Sequence, residues 1–145
     1  MVHKETKKPY AMKALKKNNI LEDDEMEITM TERNVLALGG QCRFITSLYC
    51  SFQSTDRLFF VMEYLNGGDL FFHILKERKF SEERSRFYSA QISLAFLFLH
   101  SRRIVYRDLK LDNVMLTSEV EKSCYKYSSD VKTIGFLKIS RLFTR

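Results

Sequence analysis

Apolar and polar positions alternate along this chain in two rhythms. Leu58-Phe59-Phe60-Val61-Met62-Glu63-Tyr64 is a short, nearly unbroken apolar run, which predicts a buried strand. Tyr10-Ala11-Met12-Lys13 reads as the end of an earlier strand. Between them Ile28, Val35 and the Thr31/Leu38 side recur at helical spacing, after an acidic start at Asp23, Asp24 and Glu25; together these predict a helix over residues 20–38. Leu65-Asn66-Gly67-Gly68-Asp69-Leu70 reads as a turn entering a helix. Ser81 is a natural N-cap, followed by Glu82 and Glu83 in the first turn of a long helix whose buried face is Tyr88, Ile92, Ala95/Phe96 and Leu99. From residue 117 to 130 the chain is rich in Ser and Lys and loses its periodicity. That tail is expected to be disordered, with a degraded strand at residues 131–137 as the alternative.

The chemistry concentrates in Tyr106-Arg107-Asp108-Leu109-Lys110-Leu111-Asp112-Asn113, with apolar Val114, Met115 and Leu116 behind it. An Arg-Asp pair with an Asn five residues after the Asp is the spacing of a phosphoryl-transfer loop that leaves a helix and enters a short strand. Asp108 is then the catalytic base that accepts a hydroxyl proton. Lys110 can touch the transferring phosphate, and the amide oxygen of Asn113 can ligate Mg²⁺. A solitary Arg-Asp pair would be solvated surface; the whole run is the signal. Upstream, Lys13 would be one surface lysine among Lys7, Lys8, Lys16 and Lys17, were it not for Glu32 nineteen positions later in the expected helix. A strand lysine paired with a glutamate of the following helix is the ion pair that positions the phosphates of ATP.

Thr29-Met30-Thr31-Glu32, Asp56-Arg57 running into the strand from Leu58, Asn66-Gly67-Gly68-Asp69-Leu70 and the Tyr-Arg-Asp form of the loop carry a closer likeness. Over residues 4–116 the chain resembles the serine/threonine protein kinases of the cyclic-nucleotide-dependent and protein kinase C group, and protein kinase C most of all. The resemblance implies an α+β, two-lobed kinase fold present in part. Residues 1–66 would be a partial small lobe with its hinge, 67–117 the start of the helical lobe through the catalytic loop, and 118–145 an unmatched tail. It further implies an adenine slot with Met62 as gatekeeper, the Glu63 carbonyl and Leu65 N–H reading the base, and Asp69 reaching the ribose. Ala11 would lie above the purine, and Leu70 and Met115 below it. ATP and Mg²⁺ are the implied cofactors, and proteins with basic residues near a target Ser or Thr the implied substrates, met by Asp69 and Asp112. Leu36, Leu48 and Tyr106 would belong to an apolar stack joining the lobes.

The departures from that pattern are also legible. The 145 residues contain no G-x-G-x-x-G and no Asp-Phe-Gly. Lys126 stands about where the Mg²⁺-binding aspartate would fall, counting from Asn113. Gln41-Cys42-Arg43-Phe44 replaces the usual His-Pro turn, and Arg103 replaces the usual glycine before the loop, so strain at positive φ is expected there. These features lead to the expectation of a catalytic domain truncated at both ends and inactive by itself, with a pseudokinase-like regulatory binding module as the alternative. Composition narrows the remaining classes. The net charge of +6 comes from 24 basic and 18 acidic residues interleaved along the chain, without a recognition-helix or zinc-finger pattern, so nucleic acid is not an expected partner. Three cysteines without metal spacing imply reduced thiols and a cytoplasmic setting. The apolar run 92–99 is too short to cross a bilayer, so no transmembrane segment is expected.

Overall fold

The computed structural model describes residues 1–22, 25–117 and 138–139. Three strands, β1 (Tyr10–Lys16), β2 (Leu48–Gln53) and β3 (Arg57–Glu63), form an antiparallel sheet in the order β1-β3-β2. The run read as a strand from Leu58 is therefore the central one, which accounts for its continuous apolar character. The register sets Ala11 opposite Met62 and Lys13 opposite Phe60. Side chains alternate across a strand, so Ala11, Lys13 and Leu15 share one half-buried face while Met12, Ala14 and Lys16 are exposed. Lys13 thus sits in mid-strand rather than at the strand's end. The β2–β3 hairpin closes through Ser54, whose hydroxyl bonds Asp56 at 2.7 Å and holds that carboxyl below the usual range.

Two helices follow β1 where one was expected. They are α1 (Lys17–Glu22) and α2 (Met26–Leu38), separated by a turn that includes Glu25. The buried face of α2 is Thr29, Glu32, Val35 and Leu36, with Ile28, Thr31 and Leu38 only half-buried. The inward face is rotated from the expected one because Glu32, not an apolar residue, points at the sheet to meet Lys13. Leu36 packs with Phe60 and Met62, and Ala11, Leu15 and Leu48 border that cluster. At the C-terminus of α2 a 3₁₀ turn (Gly39–Gln41) runs directly against residues 46 and 47; a Cβ on Gly39 would lie 2.4 Å from the Thr46 carbonyl oxygen. Only glycine fits there.

The helical part begins with α3 (Leu70–Glu77), capped by the Asp69 carboxylate, which accepts from Phe72 N–H at 2.7 Å. The long helix α4 (Glu82–Ser101) starts at Ser81 as expected, with the hydroxyl accepting from Arg84 N–H. Its fully buried face is Tyr88, Gln91, Ala95 and Leu99, with Ile92 and Phe96 half-buried. Gln91 is the polar residue that the apolar periodicity missed. Arg84, almost buried, pairs with Glu77 at 2.6 Å, bonds the Tyr88 hydroxyl and stacks on Phe80. Burial alone would lower the guanidinium pKa, but the hydrogen bonds it donates to Glu77 and Tyr88 outweigh burial and raise it.

One core joins the two parts. Val35 from α2 and Cys42 and Ile45 from the segment after it pack with Ala95 and Leu99 from α4 and Tyr106 from the loop beyond it. A second cluster holds Leu70, Tyr88, Val114 and Leu116. Leu36 and Leu48 are therefore together, while Tyr106 lies in a different cluster from them. After a second 3₁₀ turn (Leu111–Asn113), β4 (Val114–Met115) pairs antiparallel with β5 (Lys138–Ile139), Val114 opposite Ile139. Within the tail expected to be disordered, residues 138–139 instead form β5; the alternative strand at residues 131–137 and the position of Lys126 lie outside the described residues.

Candidate functional site

Strand β1 delivers Lys13 toward α2, and the result is a tight ion pair. Nζ lies 2.6 and 2.7 Å from the two Glu32 oxygens. The Glu32 side chain is 6% exposed and that of Lys13 is 28% exposed. A carboxylate buried that far needs a cation; the lysine keeps one side open to a further anion. Beside the pair on the same face, Met62 is buried and Ala11, its cross-strand partner, is half-buried.

The end of the central strand β3 is held by the Glu63 side chain, a role that sequence reasoning missed. Its Oε1 accepts from Ser47 N–H at 2.6 Å, while Glu63 N–H donates to the Ser47 carbonyl at 3.1 Å. This double tie fixes the strand where it runs into Tyr64 and Leu65. The Leu65 N–H makes no hydrogen bond among the described residues. From there the chain turns through Gly67 and Gly68, the latter at φ +74°, and Asp69 forms a bridge with Met115. Met115 is half-buried between buried Val114 and Leu116, as the two-residue period of a strand requires. Leu70 is 3% exposed and commits its side chain to the cluster of Tyr88, Val114 and Leu116.

The 106–113 loop folds on itself around one amide. Asn113 is buried, and its Nδ2 donates to the Asp108 carbonyl oxygen at 2.8 Å and to Asp108 Oδ2 at 2.7 Å. Both amide protons are thereby used, and Oδ1 is left as the acceptor atom. Asp108 Oδ1 lies 3.8 Å from Lys110 Nζ. The structure thus assembles the expected residues into local groups: Lys13 with Glu32, Ala11 with Met62, Asp69 with Met115, and Asp108 with Lys110 and Asn113. Among the described residues no hydrogen bond or ion pair links the Lys13–Glu32 pair to the loop. His73 is buried beside this region and bonds the Gly67 carbonyl oxygen. Its spacing four residues after the capping Asp69 was the available signal, since that places both on one helix face.

Comparison with known proteins gives a consistent picture. The family model described as protein kinase domain matches residues 1–136. The chain is 59% identical over 116 residues to protein kinase C eta type of Mus musculus, covering 80% of this chain and 17% of that protein. It is 57% identical over 110 residues to protein kinase C epsilon type of Oryctolagus cuniculus, covering 76% and 15% respectively. With protein kinase C-like 1 of Caenorhabditis elegans it shares 61% identity over 107 residues, covering 74% and 15%. The chain therefore spans about a sixth of the length of these relatives (17% of the first).

Proposed function

The chain belongs to the protein kinase domain family, and on that premise we propose that it binds ATP between the β1–β3 face and β4 and directs phosphoryl transfer to a serine or threonine hydroxyl of a protein. One observation carries this reading: Asn113 spends both amide protons on Asp108, which orients the carboxylate and leaves Oδ1 as a ligand. Among the described residues no cluster of three His, Cys, Asp or Glu side chains could hold a metal, so Asn113 supplies a single oxygen toward Mg²⁺. Asn113 would hold Mg²⁺ through that oxygen, and the ion, when bound, neutralises charge on the phosphate oxygens.

Each side chain then has a task. Lys13, held by Glu32, meets the phosphates, and Ala11, Met62 and Met115 offer the apolar surface that a purine needs. Leu70 supports that surface from the core, and the Glu63 carbonyl and Leu65 N–H read the adenine edge. The second Asp69 oxygen remains for the ribose, since Oδ1 caps α3. Asp108 Oδ1 accepts the proton as the hydroxyl oxygen forms its bond to phosphorus and the phosphoanhydride bond breaks. Lys110 offsets the charge that builds on the transferred group. Basic residues flanking the target would meet Asp69 and the exposed Asp112. A cytoplasmic setting is favoured by the free thiols of Cys42 and Cys50.

The test is a graft. Residues 4–116 replace the matching segment of a protein kinase C catalytic domain, and phosphate transfer to a serine peptide is measured. Activity is expected. Asp108→Asn should reduce kcat by about 10²–10⁴-fold, the range for a lost general base, and Lys13→Met should abolish the response to ATP. A graft that folds and binds ATP yet transfers nothing would overturn the catalytic reading in favour of a pseudokinase-like binding module. That second reading draws on Arg103, held at φ +60° just before the loop. The 145-residue chain by itself, without G-x-G-x-x-G or Asp-Phe-Gly, should bind adenosine nearly as well as ATP, with little gain from Mg²⁺.

A further inference from the structure

We propose that His73 is a positioning residue that sets the floor of the nucleotide slot, an inference that rests on the slot reading above. The starting point is a buried polar group with a single aim. His73 is 2% exposed on α3, and its Nε2 lies 2.6 Å from the Gly67 carbonyl oxygen. A carbonyl only accepts, so Nε2 carries the proton. The ring is braced edge-on against Phe72, with centroids 5.4 Å apart.

What that hydrogen bond holds matters more than the bond itself. Gly67 N–H donates to the Leu116 carbonyl at 2.9 Å, and Leu116 N–H returns to the Gly68 carbonyl at 2.8 Å. A Cβ on Gly67 would sit 2.7 Å from the Leu116 oxygen, so the two backbones approach as closely as glycine allows. Met115 precedes Leu116, Asp69 follows Gly68, and these two bridge each other. One N–H on α3 therefore fixes the turn leaving the sheet edge, the half-buried Met115 and the ribose-side Asp69 as a unit. An aliphatic side chain could fill the same volume. It could not hold the Gly67 carbonyl, and the turn would be free to lift away from β4.

Two isosteres separate positioning from packing. In His73→Gln the amide nitrogen stands as many bonds from Cα as Nε2 does, whereas in His73→Asn it is one bond short; His73→Leu keeps only bulk. The readouts are adenosine affinity and the ¹³C-methyl resonance of Met115 in methionine-labelled chain, assigned with Met115→Leu. The expected result is that His73→Gln retains both. His73→Asn and His73→Leu should lose about tenfold in affinity, the scale of one unmet buried hydrogen bond, and should shift the Met115 resonance while that of Met30 stays. If the Gln variant loses as much as the Asn variant, or the Asn variant matches the parent in both readouts, the proposal is overturned. Should His73→Leu fail to fold, the Gln and Asn pair decides. Should the parent chain fail to bind adenosine, the slot reading falls, and Met115 still decides: a shift in Asn but not Gln sustains the positioning role, and no shift overturns it.

Discussion

Arg103 ends α4 in a left-handed conformation, φ +60°, with its N–H on the His100 carbonyl and the next N–H, from Ile104, on the Leu99 carbonyl. That is the bond pattern of a Schellman cap, completed by Ile104 packing against the cluster that contains Leu99. The position normally takes glycine, because a Cβ at positive φ meets the following carbonyl. Arg103→Gly should therefore stabilise the chain by about 1 kcal/mol, read as a higher midpoint in urea. An unchanged or lower midpoint would mean that the arginine side chain offsets its backbone strain. This strain was expected from the sequence, because Arg103 stands where the kinases this chain resembles usually have glycine. The Lys13–Glu32 pair was legible as well. The Glu63 and His73 bonds were not, since each joins a side chain to a backbone group whose position depends on how separate elements meet.

At the scale of elements, adjacent glycines at the end of α2 make different demands. A Cβ on Gly39 would fall among the Thr46 and Ser47 backbone atoms, whereas nothing lies within 4 Å of one on Gly40. Gly39→Ala should cost roughly 1–3 kcal/mol through overpacking, and Gly40→Ala should be neutral or slightly stabilising. Paired chemical denaturation of the two variants checks this; equal effects would show that the 39–47 contact yields. The start of α4 followed directly from Ser81 and the acids behind it, because capping is local chemistry. The face that α2 buries did not follow from its apolar residues. Its rotation comes from an ion pair with a strand, and a periodicity of apolar residues carries no information about where a buried glutamate must point.

For the whole molecule, the balance between buried and exposed apolar surface decides behaviour in solution. Phe72 and Leu75 on α3 and Leu94 and Leu97 on α4 are each about half exposed or more, from 48% to 65%. Faces of this kind favour association. The 145-residue chain should sediment with a concentration-dependent mass and bind a dye for exposed apolar surface. Leu94→Gln with Leu97→Gln should reduce both without lowering the thermal midpoint by more than a few degrees, because neither side chain is in the core. A chain that stays monomeric at all concentrations would refute this. Among the described residues no helix is long and apolar enough to cross a membrane.

The resemblance to known kinases implied the α+β class; the local pattern of the sequence determined the buried strand from Leu58, the long helix and the chemical identity of Lys13, Glu32, Asp108 and Asn113. Those follow from short-range rules: apolar period, capping residues, and functional groups at fixed spacing along one loop. Only the tertiary structure decided which atoms those groups use. It turned the Asn113 amide so that both protons go to Asp108, placed Leu70 in the core, left Met115 half-buried, and tied His73 of α3 to the Gly67 carbonyl. The reason is physical. A buried hydrogen bond must be met by whichever donor the packing of distant segments brings within reach, and that choice is made by close-packed backbones rather than by the local order of residues.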